Sequence, residues 1–124
     1  MDSILKQTRR PDVTFYRNGR IDISSRVAKM LHLDDGDVVD VGVQDGEYYL
    51  YIRSKASEVI GRHEAQCFAS KPKSKNFRAY SKRLCDAILR ATASPLARIP
   101  AGEREEFPQL GVAVPLIIRL NMVG

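Results

Sequence analysis

The chain has no tryptophan, two cysteines and two histidines. That shortage removes most metal and nucleophile chemistry. Cys67, Cys85, His32 and His63 have none of the local spacing of a zinc site, so the thiols read as buried, free cysteines in a reducing compartment. No G-x-S-x-G turn and no G-x-x-x-x-G-K-[ST] loop occurs, which leaves acyl transfer and P-loop nucleotide hydrolysis without support. Asp34, Asp35, Asp37 and Asp40 cluster, but without the Glu that closes an EF-hand loop, and they read as a turn and a strand edge. No apolar run approaches the roughly 20 residues of a membrane span. The opening stretch MDSILKQTRRPD lacks a signal-peptide core, so a cytoplasmic setting is expected. There is no internal repeat and no low-complexity segment. No enzymatic activity and no cofactor is expected.

What is present is charge, unevenly placed. The formal net charge is +5, with 20 basic and 15 acidic residues. Residues 1–62 balance ten against ten, so the whole excess lies beyond them. It concentrates at Lys71, Lys73, Lys75, Arg78, Lys82, Arg83 and Arg90, against Asp86 alone. A clustered positive field attracts a polyanion, and nucleic acid is the usual one.

Residues Phe15 to Arg53 carry the clearest pattern. Val13 to Tyr16 is rich in β-formers, and Asn18-Gly19 suits a two-residue hairpin turn. Ile21 and Ile23 then share one strand face. Ser24 or Ser25 can cap a short helix on which Val27, Met30 and Leu31 fall at helical spacing. Asp34-Asp35-Gly36-Asp37 ends it. Val39, Val41 and Val43 alternate as a strand, Asp45-Gly46 turns the chain, and Tyr48, Leu50 and Ile52 return. Two hairpins and a two-turn helix are too little to stand alone in water.

This stretch resembles the swapped-hairpin DNA-binding domain of the AbrB, MazE and SpoVT type. The likeness rests on Gly-Arg-Ile-x-Ile at Gly19 to Ile23, the helix ending at Leu31-His32-Leu33, Gly36-Asp37-Val38-Val39, and the Asp45-Gly46 hairpin. It implies two chains interleaving their hairpins into one body, with Asp37 structural. It also implies that Arg20 and Lys29 occupy places often used to contact DNA, with Arg17 and Arg26 nearby. Where that family usually has Pro, this chain has Ser24; two places often basic there hold Val13 and Ala28.

The remainder reads less clearly. Residues 1–12 look like a flexible arm, with Arg9-Arg10-Pro11 able to follow a phosphate backbone. The swapped-hairpin module spans 13–60 and a basic module 61–124, with a core shared between the two left open. Ala56 to Ile60 reads as one helical turn in the connection between them; in the second module Glu64 to Ala69 reads as a strand and Ser70 to Asn76 as a basic loop. Asn76 then caps a four-turn amphipathic helix through Phe77, Tyr80, Leu84, Ile88 and Ala91. Leu96 to Ile99 is a strand and Ala101 to Gln109 a charged loop. Val112 to Leu120 is strongly β-forming, its Pro115 pointing to an edge or a bulge.

The expected fold is therefore α+β, mainly β: a swapped-hairpin module followed by β-α-β-β. The expected function is DNA binding by a homodimeric transcription regulator of the AbrB-like type. Contacts to phosphate are assigned to Arg17, Arg20, Arg26, Lys29, Lys71, Lys73, Lys75, Arg78, Lys82 and Arg83. The basic loop would use the N-terminus of the following helix. Duplex DNA is the favoured partner. Two alternatives stay open: an antitoxin-like protein-protein module, and single-stranded nucleic-acid binding through the basic C-terminal half, with Phe77 and Tyr80 as stacking residues.

Overall fold

The computed structural model describes residues 11–118. The fold is mainly β, built as two antiparallel sheets with two helices. The strands are β1 (Val13–Tyr16), β2 (Arg20–Ile23), β3 (Val38–Gln44), β4 (Glu47–Ser54), β5 (Phe68–Ala69), β6 (Phe77–Tyr80), β7 (Leu96–Ile99), β8 (Glu105–Phe107) and β9 (Gly111–Leu116). The helices are α1 (Ser25–Leu31) and α2 (Lys82–Thr92). A 3-10 turn covers Ala56–Glu58. Among the described residues, no helix is long and apolar enough to cross a membrane.

One sheet runs β5-β6-β2-β1-β7 and the other β3-β4-β9-β8. Strands from both sides of residue 60 enter both sheets. The buried residues form one cluster, from Val13, Phe15, Ile21 and Ile23 through Leu50 to Val114 and Leu116. Phe15, Ile21 and Ile88 are fully buried; each contributes about 1.5–3 kcal/mol relative to exposure. Asp12, at the end of the expected arm, is itself buried, its carboxylate accepting from Ala101 N at 2.8 Å. Arg9 and Arg10 lie outside the described residues.

The first half follows the sequence pattern closely. Alternation puts Ile21 and Ile23 inward and Arg20 and Asp22 outward. Ser24 Oγ accepts from Val27 N and so caps α1. The first turn differs in one respect. Phe15 pairs with Ile21, Gly19 N donates to Tyr16 O at 3.0 Å, and Gly19 alone takes a positive φ, of 97°. The connection is thus a three-residue loop ending in a left-handed glycine, not a two-residue turn. A Cβ on Gly19 would also sit 3.2 Å from Lys82 N. At Asp45-Gly46 both residues have positive φ, as a two-residue hairpin requires.

The second half departs further. The expected four-turn helix begins as strand β6, and α2 starts only after Ser81, whose Oγ accepts from Leu84 N at 3.1 Å. Phe77 and Tyr80 fit a period of 3.6 by accident. Pairing with β2 on one side and β5 on the other decides the matter. The 64–69 stretch contributes only Phe68–Ala69 to a sheet. Before that it turns through Ala65 at φ 63° and ties the sheets together, Ala65 N donating to Tyr80 O and Val39 N to Ala65 O. The charged 101–109 loop contains β8. The order is therefore β-β-α-β-β-β, not β-α-β-β.

Pro115 also needs a correction. β9 is an interior strand between β4 and β8. β8 opposes only Gly111 to Ala113, so no β8 residue faces Pro115. There its carbonyl accepts from Gly102 N at 2.9 Å, and the missing N–H breaks no β8 pairing.

Candidate nucleic-acid interface

The ten expected contact residues do not form one surface. β2 is four residues long, about 13 Å at about 3.3 Å per residue. Arg17 and Arg20 lie at its start, beside the N-terminus of α2. Arg26 and Lys29 follow its other end, on α1. Two expected clusters are thus dealt out to opposite ends of one sheet.

Several of the ten are held by carboxylates. Arg20 lies 4.0 Å over the Tyr16 ring and 3.2 Å from Asp22. Arg78 Nε donates to the same Asp22 at 3.1 Å. Arg26 bridges Asp12, at 3.1 Å, Glu103, at 3.2 Å, and the Ala101 carbonyl. Lys82 meets Asp86 one helical turn on, at 2.7 Å. Arg83 donates through Nε to Glu64 at 3.0 Å. That guanidinium, with the Ser81 hydroxyl, holds the Glu64 carboxyl down to about 2. Arg26 in particular clasps the residue before β1 to the segment between β7 and β8.

Lys29, Lys71, Lys73 and Lys75 are exposed, and none has an ion-pair partner among the described residues. The fold brings Lys29 beside the loop that carries the other three. Lys71 to Lys75 sit on the loop joining β5 to β6. Asn76 at its end accepts a hydrogen bond from Ser25 N at 2.8 Å, so the loop is pinned to the start of α1. Lys29 and Lys75 then line the same groove, of about 820 Å³, with Ser25, His32 and Phe77. Among the described residues Asp34 is the one acid in its lining, and Lys55 already pairs with it at 3.1 Å. This corrects the role expected for Asn76 and for the loop: β6 separates the loop from α2, and Asn76 bonds α1 instead.

The positions that depart from the resembling family have structural uses. Ser24 is the α1 cap. Val13 is 0% exposed and Ala28 5%, so neither has room for a cation that must reach solvent.

Sequence reading passed over Arg62, which is exposed and also without a carboxylate partner among the described residues. It lines a second groove, of about 380 Å³, with Phe68, Arg78 and Tyr80. Counting charge only from Lys71 onward hid it, and the helical reading of Tyr80 hid the strand face that it borders.

Both cysteines are free and buried, and desolvation pushes the thiols up, Cys67 to about 12 and Cys85 to about 11. Among the described residues no group of three His, Cys, Asp or Glu side chains is arranged to hold a metal ion. Compared with family models, with characterised proteins and with solved structures, the chain gives no match.

Proposed function

We propose that this protein binds DNA, as a regulator of the swapped-hairpin kind, through phosphate contacts from Lys29, Lys71, Lys73 and Lys75. The observation that carries the reading is the groove between α1 and the 70–76 loop. Residues more than forty positions apart bring uncompensated ammonium groups to one place there. Ammonium groups on flexible stems suit phosphate contact, which sets position and salt dependence but not base sequence. Arg17, at the far end of β2, is exposed and lies outside this surface.

The swapped-hairpin reading takes a particular form in this chain. In the resembling family a second copy supplies the strands that cover each hairpin. Here β6 and β7 flank the β1–β2 hairpin, and β9 flanks β4. A homodimer, the state the resemblance implies, would then be held by surfaces other than these, joining chains already folded and loosely enough to part before either unfolds.

The test is a fluorescence-anisotropy titration of a labelled duplex across salt. If four lysines each meet one phosphate, log K should fall against log salt with a slope of about −3.6. Lys29→Glu with Lys75→Glu should abolish binding. Lys82→Glu with Arg83→Glu, which changes cations already paired, should leave affinity within about threefold by comparison. Absence of duplex binding by the unaltered protein at low salt would end the reading.

A further inference from the structure

The face of the five-stranded sheet that points away from the core carries aromatic and arginine side chains at alternating positions. Phe68 on β5 stands directly opposite Arg78 on β6, and Tyr80 is two residues on, so all three share that face. Arg20 stands opposite Tyr80 in the next strand and covers Tyr16. Phe68 is 48% and Tyr80 57% exposed. Large aromatics at that exposure, side by side on a sheet, are an exception to the rule that they bury themselves.

The spacing and charge select an occupant. Phe68 and Tyr80 are diagonal cross-strand neighbours, which puts them about 7–8 Å apart. One nucleotide of a stacked strand occupies about 3.4 Å, so side chains rising from positions that far apart have room for a single flat base between them. Arg78, its Nε held by Asp22 at 3.1 Å, lines the same groove as both rings, with Arg62 and Ser70. Among the described residues no carboxylate lines the groove; Asp22, which holds Arg78, lies outside its lining. Ser70 begins the loop that carries Lys71, Lys73 and Lys75, so phosphates on either side of a seated base would meet cations. An apolar ligand would leave Arg62 without a partner, and duplex DNA would keep its bases out of reach of the rings.

We propose that the Phe68–Arg78–Tyr80 face receives an unpaired base of a single-stranded nucleic acid, the base lying between the two rings with its neighbouring phosphates against Arg62 and the lysine loop. The site is distinct from the α1 groove and shares only the lysine loop with it.

The experiment compares a labelled twelve-nucleotide oligothymidylate with a twelve-base-pair duplex, titrated against the full chain and three variants. Phe68→Ala and Tyr80→Ala should each weaken single-strand binding about tenfold. Tyr80→Phe, which keeps the ring, should bind like the unaltered protein. The salt slope should stay the same in all three, because no cation is removed. Duplex affinity should also be unchanged, which separates this site from the α1 groove. Thermal melts confirm that these exposed substitutions leave the fold intact. Equal single-strand affinity in the unaltered protein and both alanine variants would overturn the proposal, even if the lysine variants still lose duplex binding. A doubled mass in solution that Phe68→Ala reduces to a monomer, with no single-strand affinity, would assign the face to a second copy and overturn it equally.

Discussion

Asp37 is a fully buried carboxylate, and its surroundings explain how that is tolerated. It accepts from Asp34 N at 2.8 Å, from Ala56 N at 2.7 Å and from Lys55 Nζ at 2.8 Å. One side chain thereby fixes the turn into β3 and the exit from β4. Removing it leaves two backbone donors and an ammonium group short of partners. Asp37→Ala should cost about 3 kcal/mol, read by urea denaturation. Asp34→Ala, at 75% side-chain exposure, should cost under about 0.5 kcal/mol by the same measurement. Glu64 gives a pH signature. Its folded value of about 2 lies below the ordinary 4.5, chiefly through Arg83. The unfolded chain therefore takes up its proton first, and the pair's contribution is present above pH 4.5 and lost as pH falls toward 2. The stability advantage over Glu64→Gln should shrink across that window and stay flat above it; an advantage that persists at pH 2 would contradict the pairing. At this scale the sequence was half legible. Gly36-Asp37 announced a turn, and burial of the two thiols followed from their isolation. The pairings of Arg26 with Asp12 and Glu103, and of Arg83 with Glu64, join residues 14 to 77 positions apart. Nothing local writes such pairs into a chain, and so cations assigned to DNA, Arg26 by resemblance and Arg83 by charge, are also seen to clasp the fold.

Both helices end in the same way, and neither uses glycine. His32 (φ 54°) and Ala93 (φ 51°) are left-handed. His32 N donates to Lys29 O and Leu33 N to Ala28 O; Ala93 N donates to Arg90 O and Ser94 N to Leu89 O. These are paired six-to-one and five-to-two closures that normally place glycine at the left-handed position. A side chain there costs roughly 1 kcal/mol. His32→Gly and Ala93→Gly should therefore each raise stability by about 0.5–1 kcal/mol, measured as a shift of the urea midpoint at constant m. A loss at either position would mean that the imidazole or methyl group makes a contact worth more than the strain. Element boundaries were legible where local chemistry sets them. The Asp45-Gly46 turn, the alternation of Val39, Val41 and Val43, and the serine before α1 all act within a few residues. β6 was not legible, because Phe77-Arg78-Ala79-Tyr80 suits a helix or a strand equally, and β2 and β5 choose between them. β8 was hidden for the same reason: Glu105 to Phe107 becomes a strand only beside Gly111 to Ala113.

The partners of the hairpins decide how the whole molecule should unfold. β1 pairs with β7 and β2 with β6, while β4 pairs with β9, so each hairpin of the first half is flanked by the second half of the same chain. A two-stranded hairpin alone is marginal in water. Covering it from within one chain makes its stability independent of concentration; covering it from a second chain does not. The expected outcome is a single urea transition, seen together by far-ultraviolet circular dichroism and tyrosine fluorescence, whose midpoint stays fixed over a hundredfold range of protein concentration. An interleaved dimer that unfolds to separate chains would instead gain about 2.7 kcal/mol over that range, and its midpoint would climb accordingly. The same topology forbids dividing the protein at residue 60. A fragment spanning 11–60 keeps β1 to β4 but loses β6, β7 and β9, leaving Val13, Phe15, Ile21, Ile23 and Leu50 without much of their cover. It should show no cooperative transition alone and should regain one when mixed with the 61–118 fragment. A fragment 11–60 that folds by itself, with a midpoint that rises with its own concentration, would instead mark the hairpins as built to find one another between chains, and the intramolecular pairing with β6 and β7 would then be dispensable.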